Sequence, residues 1–212
     1  MNKEKRVVHS QIANILFVNR ECSMLKPQDI LVALKLVALG RERWTYASLA
    51  KSLGLSISET HAAVKRGLAS RLLTRLDWEG RKAERPLPNL VHLERLIVHG
   101  LPYLMPVSRG ARKICMGMPT ADGAKPLSDE IAIIGGEGPP VWPMRGGSVR
   151  GLAVEPIHSA CPYAAKRDPR LYELLALADG ARFPATRTRN ASARLLHERF
   201  QTAFQDAQKF AA

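Results

Sequence analysis

Apolar and polar residues recur at helical spacing in two adjacent short segments between Trp44 and Leu73, WTYASLAKSLGLSISETHAAVKRGLASRLL. The first segment has an apolar stripe that ends at Leu53 and is preceded by Thr45, whose hydroxyl is a candidate N-cap. Gly54 follows the stripe, where a helix commonly ends in a left-handed C-cap. The pattern therefore predicts a short helix that ends in a tight turn.

The second segment predicts another helix, which begins after Ser56. Ser56 and Glu59 have the spacing of a capping box, in which a hydroxyl and a carboxylate satisfy two free N–H groups. The apolar positions share one face of this helix, namely Ile57, Thr60, Val64, Leu68 and Leu72. A more polar set shares the other face, namely Ser58, Glu59, Ala62, Lys65 and Arg66. Such a pair is typical of a helix-turn-helix, although ordinary amphipathic hairpins with a solvated face have the same pattern.

Residues on either side of the two segments extend this pattern. Upstream, Pro27 opens an apolar stripe with the spacing of a helix that ends at Gly40. Downstream, residues 72–76 form a short apolar run that favours a strand, and a turn is predicted at Glu79 and Gly80. Three basic residues surround that turn, namely Arg81, Lys82 and Arg85. The predicted order is helix, helix-turn-helix, strand and basic turn.

Over residues 26–88 this order resembles the winged helix-turn-helix regulators of bacteria, in particular the MarR-like repressors, and the motif SLAKSLGLSISETHAAVKRGL carries the resemblance. The resemblance implies that the second helix enters a major groove, while the basic turn is a wing that reaches the DNA backbone or minor groove. The candidate DNA-binding residues are then Thr45, Ser56, Ser58, Glu59, His61, Ala62, Lys65, Arg66, Arg81, Lys82 and Arg85. Ala62 departs from the pattern, because this group often has a base-reading arginine there. Gly67 departs too, because this group commonly has a large apolar residue at that position.

Net charge supports a polyanionic partner. The chain has a formal charge of +13, and residues 1–90 hold 16 Lys/Arg against 8 Asp/Glu. A basic surplus raises affinity for DNA through counterion release, so binding is expected to weaken steeply with salt. We expect backbone contacts and the wing to supply much of the affinity, with base reading left to the serines, His61 and Arg66.

Membrane insertion and secretion are not predicted. The sequence lacks a run of about 18 apolar residues that could cross a bilayer. The opening MNKEKRVVHSQIANILFVNRE has too short and too polar an apolar stretch for a signal peptide. The expected location is therefore cytoplasmic, with no membrane partner.

Metal, cofactor and enzymatic chemistry are not predicted either. The three cysteines, Cys22, Cys115 and Cys161, form no CxxC pair, so neither a disulfide framework nor a zinc site is expected. His158 with Cys161 could supply two metal ligands, but a tetrahedral site needs four. Cys115 or Cys161 could alternatively sense redox state. Nucleophile-elbow, Walker and zincin motifs are absent, and IAIIGGEGPP lacks the spacing of a nucleotide-binding glycine turn.

The residue pattern of the second half changes twice, from a helix to short strands and back to helices. Residues 87–98 predict a helix that leaves the wing, and residues 100–162 contain Gly, Pro and short apolar pieces typical of short strands: LPYLMPV, KICMG, IAIIGG, PVWPM and RGLAVEPI. Asp168 then caps a predicted helix that stops at Gly180, and a last helix is predicted from Asn190 or Ser192. RFPATRTRNASAR between them is interpreted as a mobile linker or a second DNA contact. The stripe Leu195, Leu196, Phe200, Phe204 and Ala207 of the last helix packs either within the monomer or in a dimer.

The predicted fold class is α+β: an N-terminal winged helix-turn-helix domain, then a small mixed strand and helix domain and a C-terminal helix. The predicted domains are residues 1–99 for DNA binding and 100–212 for dimerisation, a small-molecule effector or a protein partner. The function hypothesis is a sequence-specific, non-enzymatic repressor that binds palindromic double-stranded DNA as a homodimer. The alternative is an antitoxin-like or defence or mobile-element protein whose C-terminal domain binds a partner protein. A nucleic-acid enzyme is a third hypothesis.

Overall fold

The protein is α+β, with helices and two small sheets, in a computed structural model that describes residues 24–77, 79–107, 113–132 and 138–209. The opening segment MNKEKRVVHSQIANILFVNRE, Cys22 and residues 133–137 of the IAIIGGEGPP piece lie outside these residues. None of the described helices is both long enough and apolar enough to cross a membrane.

The three helices expected around the central motif are confirmed. They are α1 (Pro27–Leu39), α2 (Tyr46–Leu53) and α3 (Ile57–Ala69). The Thr45 hydroxyl accepts the Ser48 N–H at 3.0 Å, and the Ser56 hydroxyl accepts the Glu59 N–H at 3.1 Å. Gly54 adopts the left-handed conformation, with φ of 68°, between α2 and α3. Local capping signals therefore define this hairpin, as the sequence predicts.

A two-stranded antiparallel hairpin follows α3. It consists of β1 (Leu73–Leu76) and β2 (Lys82–Pro88), with Leu73 opposite Pro88 and a register shift before Leu76. The Asp77 N–H donates to the Arg81 carbonyl at 2.8 Å and so closes the turn. The predicted strand and basic turn are therefore present, next to α3.

The next helix extends further than the sequence indicates. It runs through α4 (Leu90–Arg95), a π-helical turn (Leu96–Gly100) and α5 (Leu101–Leu104). The prediction of a strand piece in LPYLMPV is wrong for residues 101–104. Pro102 lacks an N–H and crowds the preceding turn, and the wider π-helical turn lies directly before it. The chain therefore stays helical past a Gly and a Pro that usually end a helix.

Three short strands form the second sheet. They are β3 (Ile114–Pro119), β4 (Pro140–Pro143) and β5 (Val149–Ala153). β3 pairs antiparallel with both of the others, while β4 and β5 pair in parallel, so each strand contacts the other two. A 3₁₀ turn (Ala121–Gly123) and α6 (Leu127–Glu130) lie between β3 and β4. The expected strands in KICMG, PVWPM and RGLAV are confirmed.

The chain ends in α7 (Cys161–Ala165), α8 (Pro169–Arg182) and α9 (Thr186–Lys209), and α8 is capped by Asp168 as predicted. The predicted stop at Gly180 is wrong, because Gly180 is a buried position inside α8 where α9 crosses closely. A Cβ there would lie 2.1 Å from the Ser192 hydroxyl. The predicted linker RFPATRTRNASAR is also wrong over residues 186–194, which form the first turns of α9.

One hydrophobic core joins the two predicted parts. Buried residues on both sides of residue 99 belong to the same cluster, and α1 packs directly against α8. In α9, Leu195, Leu196 and Phe200 are buried within the monomer, whereas Phe204 is 40% exposed. The division at residue 99 stays a prediction about independent folding units.

A buried ion pair on α8 accepts and donates the hydrogen bonds that connect this helix to the second sheet and to the end of α5. Asp179 is fully buried and accepts hydrogen bonds from Trp142 Nε1 at 2.5 Å and Thr120 Oγ1 at 2.9 Å. It also pairs with Arg182 at 2.6 Å, and Arg182 donates to the Met105 carbonyl at 2.7 Å. Burial raises the pKa of Asp179, although these donors and the guanidinium oppose that effect. This network positions β4 and the end of α5 on α8.

Replacing Gly54 by alanine tests the α2–α3 turn. A non-glycine residue in the left-handed region costs about 1–2 kcal/mol, and the new Cβ would lie 2.8 Å from the Tyr163 ring. Gly80→Ala is the matched control, because Gly80 has a φ of 78° and open space around its Cβ position. We expect urea unfolding to show a larger stability loss for Gly54→Ala. Equal losses would contradict the close contact with Tyr163.

Candidate nucleic-acid interface

The exposed face of α3 carries five of the eleven candidate DNA-binding residues. Ser58, Glu59, His61 and Lys65 are exposed and Ala62 is half-buried, while Thr60 and Val64 lie in the core. This division follows the predicted faces except at Ile57, at Arg66 and at Leu72, which lies beyond the end of α3 at Ala69. Ile57 was expected in the core but is 57% exposed, and its neighbours in the first turn of α3, Ser58 and Glu59, are exposed as well.

Arg66 does not lie on that exposed face, so the expectation that it faces solvent and DNA is wrong. Its guanidinium forms a two-pronged ion pair with Asp29 of α1, with Nη2–Oδ1 and Nε–Oδ2 distances of 2.6 and 2.8 Å. The Arg66 side chain is 13% exposed and that of Asp29 is fully buried. Arg66 therefore joins α3 to α1, and base reading at this position is not available without breaking that pair.

Gly67 is explained by the packing of α3 against β1. A Cβ at Gly67 would lie 2.9 Å from the Leu73 side chain. An interior glycine costs a helix about 1 kcal/mol relative to alanine, but here it permits close contact with the hairpin. Because Gly67 has no side chain, β1 and β2 can lie close to α3.

Three candidates are engaged in helix capping. Thr45 caps α2, and Ser56 and Glu59 form a reciprocal pair in which the Ser56 N–H donates to the Glu59 carboxylate at 3.0 Å. The N–H and hydroxyl of Ser56 lower the pKa of Glu59, which is fully exposed. These groups already have hydrogen-bond partners, so their first role is to define where α2 and α3 begin.

Aromatic contacts join α2, α3 and the hairpin. The His61 ring lies 4.9 Å from the Tyr46 ring, and Tyr46 meets Trp44 edge to face at 5.4 Å. The Arg85 guanidinium lies 5.9 Å from the Trp44 ring centroid and 3.9 Å from the Glu84 carboxylate. His61 and Arg85 therefore have fixed neighbours on the protein, at the edge of the candidate surface.

The basic turn is less positive than its sequence indicates. Arg81 forms ion pairs with Asp77, at 3.1 Å, and with Glu79. The hydrogen bond that Arg81 donates to the Asp77 carboxylate is the main reason that the pKa of Arg81 is raised. Lys82 is exposed and has no carboxylate partner within the part of the chain that the structure describes. Most of the available charge of the turn therefore comes from Lys82.

Exposed cations without a carboxylate partner among the described residues occur on all three elements, namely Lys51 on α2, Lys65 on α3, and Arg75 and Lys82 on the hairpin. Sequence reasoning missed Lys51 and Arg75. Lys51 lies one helical turn before the Gly54 cap, outside the polar face considered for α3. Arg75 lies two residues after the buried Leu73, so strand alternation alone would place it on the buried face. It is exposed where the register of β1 shifts, between Thr74 and Leu76.

Other candidate chemistry lies away from this surface. Burial raises the pKa of the Cys161 thiol to about 12, while Cys115 is half-buried on β3. Within the described residues, no group of three or more His, Cys, Asp or Glu side chains could hold a metal. A groove of about 250 Å³ lies between α5 and α9, lined in part by His99, Tyr103 and Arg189. That volume is below the usual range for drug-sized ligands, about 300–1,000 Å³.

No protein-family model, curated protein or solved structure matches this chain. The resemblance to winged helix-turn-helix regulators therefore stays a prediction based on the residues.

Removing the Arg66 side chain is expected to destabilise the protein strongly. Arg66→Ala leaves the buried Asp29 carboxylate without its counter-charge, which costs about 3–5 kcal/mol. Lys65→Ala is the matched control on the next residue, and its exposed side chain contributes within about 0.5 kcal/mol. Urea unfolding of both variants measures the difference. Similar stability of the two variants would contradict the structural role of Arg66.

Thiol accessibility provides a separate test of the redox-sensor hypothesis. Iodoacetamide reacts with thiolates, so the folded protein at pH 8 should be alkylated at Cys115 while Cys161 stays protected until denaturant is added. Peptide mass mapping distinguishes the two sites. Rapid alkylation of Cys161 in the folded protein would contradict its burial and restore it as a sensor candidate.

Proposed function

We propose that this protein is a transcriptional regulator that binds double-stranded DNA through a winged helix-turn-helix unit at residues 26–88. The observation that carries the proposal is the arrangement of α2, α3 and the β1–β2 hairpin. Two capped helices meet at a left-handed glycine turn, and the polar face of the second is exposed beside the hairpin. A helix of about this size fits the major groove of B-DNA.

In this proposal α3 is the recognition helix. Ser58 and His61 would contact base edges, while Ala62 would offer a methyl group to thymine. Lys65, Lys82, Arg75 and Lys51 would bind phosphates, which orient the protein without reading sequence. Arg66 supports the proposal indirectly, because its ion pair with Asp29 orients α3 on α1.

The proposed mechanism is steric repression in the cytoplasm. A homodimer would place two copies of α3 about one DNA turn apart on a palindrome and so block polymerase. The region after residue 99 would then serve dimerisation or bind an effector or partner. The shared core supports this proposal, because α8 packs directly against α1. A displacement of α8 on ligand or partner binding would therefore reach the proposed DNA-binding unit.

One observation favours the second candidate function, a protein that acts through a partner protein. Tyr103 and Leu104 are adjacent on α5 and are 83% and 66% exposed. Neighbouring exposed apolar side chains of this size mark protein contact sites more often than isolated ones do. In that case DNA binding would be secondary to an antitoxin-like or defence role.

DNA titration over a salt series tests the proposal. The duplex is the DNA upstream of the protein's own gene, with random-sequence duplex for comparison. Each phosphate contact contributes about 0.9 to the slope of log K against log salt. We therefore expect Lys65→Ala with Lys82→Ala to reduce that slope by about 2 and to weaken binding.

Lys125→Ala is the matched control, because Lys125 is 82% exposed and pairs with Asp129 near α6, on the other part of the chain. It should bind DNA as the unmodified protein does. The proposal fails if the unmodified protein binds no duplex, or if the double variant binds with unchanged affinity and slope.

A further inference from the structure

The C-terminal part of the chain reaches the turn between α2 and α3. The Tyr163 ring on α7 packs against Gly54, where a Cβ would lie 2.8 Å from Cδ1 and 3.0 Å from Cε1. Tyr163 is nevertheless 40% exposed, so it lies at the surface beside the turn. α7 therefore forms part of the same surface as the helix-turn-helix.

Arg167 is held on the outer side of Tyr163. Its guanidinium lies 3.5 Å from the ring centroid, and Nη1 donates to the Tyr163 carbonyl at 3.1 Å. Both contacts restrain the side chain, yet neither neutralises its charge. A pre-oriented guanidinium loses little conformational entropy when it binds a phosphate.

Neighbouring charges leave this region positive. Lys166 is exposed, and neither Lys166 nor Arg167 has a carboxylate partner in the described residues. Arg167 also borders a groove of about 410 Å³ whose lining contains Lys35 and Arg170 as well as two carboxylates, Glu42 and Asp168. Asp168 already pairs with Lys35 at 2.6 Å, so the cations of the groove retain a net excess.

α7 also contacts the helix that leads into this turn. It packs against α2, whose C-cap is Gly54. The loop before α7 is joined to it by a hydrogen bond from the Ala160 N–H to His158 Nδ1 at 3.1 Å. The C-terminal part therefore contacts both α2 and the glycine turn that follows it.

We propose that Tyr163, Lys166 and Arg167 form a phosphate clamp that extends the DNA interface beyond the helix-turn-helix. This inference rests on the proposed DNA-binding function. When the N-terminal residues of a recognition helix contact base edges, groups beside that end of the helix lie next to the flanking backbone. Arg167 binds one phosphate through its guanidinium fork and Lys166 binds the next as a point charge. Tyr163 positions Arg167.

The clamp predicts a sequence-independent loss of affinity. Lys166→Ala with Arg167→Ala removes two phosphate contacts, so the salt slope should fall by about 2. Binding to upstream and to random duplex should weaken by the same factor, about tenfold to a hundredfold per contact, because phosphates carry no sequence information. Arg167→Lys should preserve the slope, since it keeps the charge, but should bind more weakly.

Arg145→Ala is the matched control, because Arg145 is also an exposed arginine but lies in the turn after β4. Urea unfolding of each variant verifies its fold. If Arg167→Ala is unfolded, Lys166→Glu replaces it, since the Lys166 side chain has no partner among the described residues.

The outcomes separate the two proposals. If the unmodified protein binds DNA and Lys65→Ala with Lys82→Ala weakens it, but the Lys166 and Arg167 variants leave affinity and slope unchanged, the clamp is wrong and the DNA-binding function stands. If the unmodified protein binds no duplex, both are wrong. A loss confined to the upstream duplex also contradicts the clamp, because it would indicate base reading.

Discussion

The orientation of α3 depends on one buried ion pair between Asp29 and Arg66. Asp29 is also the first-turn acceptor of α1, where the Lys26 N–H donates to its carboxylate at 2.8 Å. One carboxylate therefore caps α1 and binds α3. Without the guanidinium, a desolvated charge would remain between the two helices, which proteins tolerate poorly. This contact therefore fixes the angle of α3 on α1. The proposed function depends on that angle, because it sets the direction of the exposed face of α3.

The two halves of the protein are coupled by packing and charge. α1 contacts α8, and the Lys35–Asp168 pair lies where they meet, beside the cap of α8. At the other end of α8, Asp179 and Arg182 bind the second sheet and the end of α5. α8 thus connects the proposed DNA-binding unit to the remainder of the chain. A ligand or partner that displaced α8 would change the support of α1, and through α1 that of α3.

Sequence reasoning succeeded where the signal was local. The caps at Thr45 and Ser56, the glycine turn at Gly54 and the Asp168 cap all involve residues within a few positions of each other. It failed where a distant partner decides the outcome. The pattern of its own helix predicts that Arg66 faces solvent. In the fold, Arg66 instead pairs with Asp29, which is 37 residues away in the chain. Gly180 looks like a helix stop, yet it is the position at which α9 crosses α8. The α9 segment from residue 186 looks like a linker because its basic and polar residues hide its helical character.

The sequence by itself determined the α+β class, the boundaries of α1 and α2, the start of α3 and the basic surplus of the first 90 residues. These follow from backbone capping and from the period of apolar residues, which need no knowledge of the fold. Only the tertiary structure decided which cations remain available at the surface and which are consumed by internal ion pairs. It also brought Tyr163, with Arg167 over its ring, to Gly54, which is more than 100 residues before it in the chain. The reason is physical: charge pairing and close packing depend on distances between segments, and those distances exist only after the chain has folded.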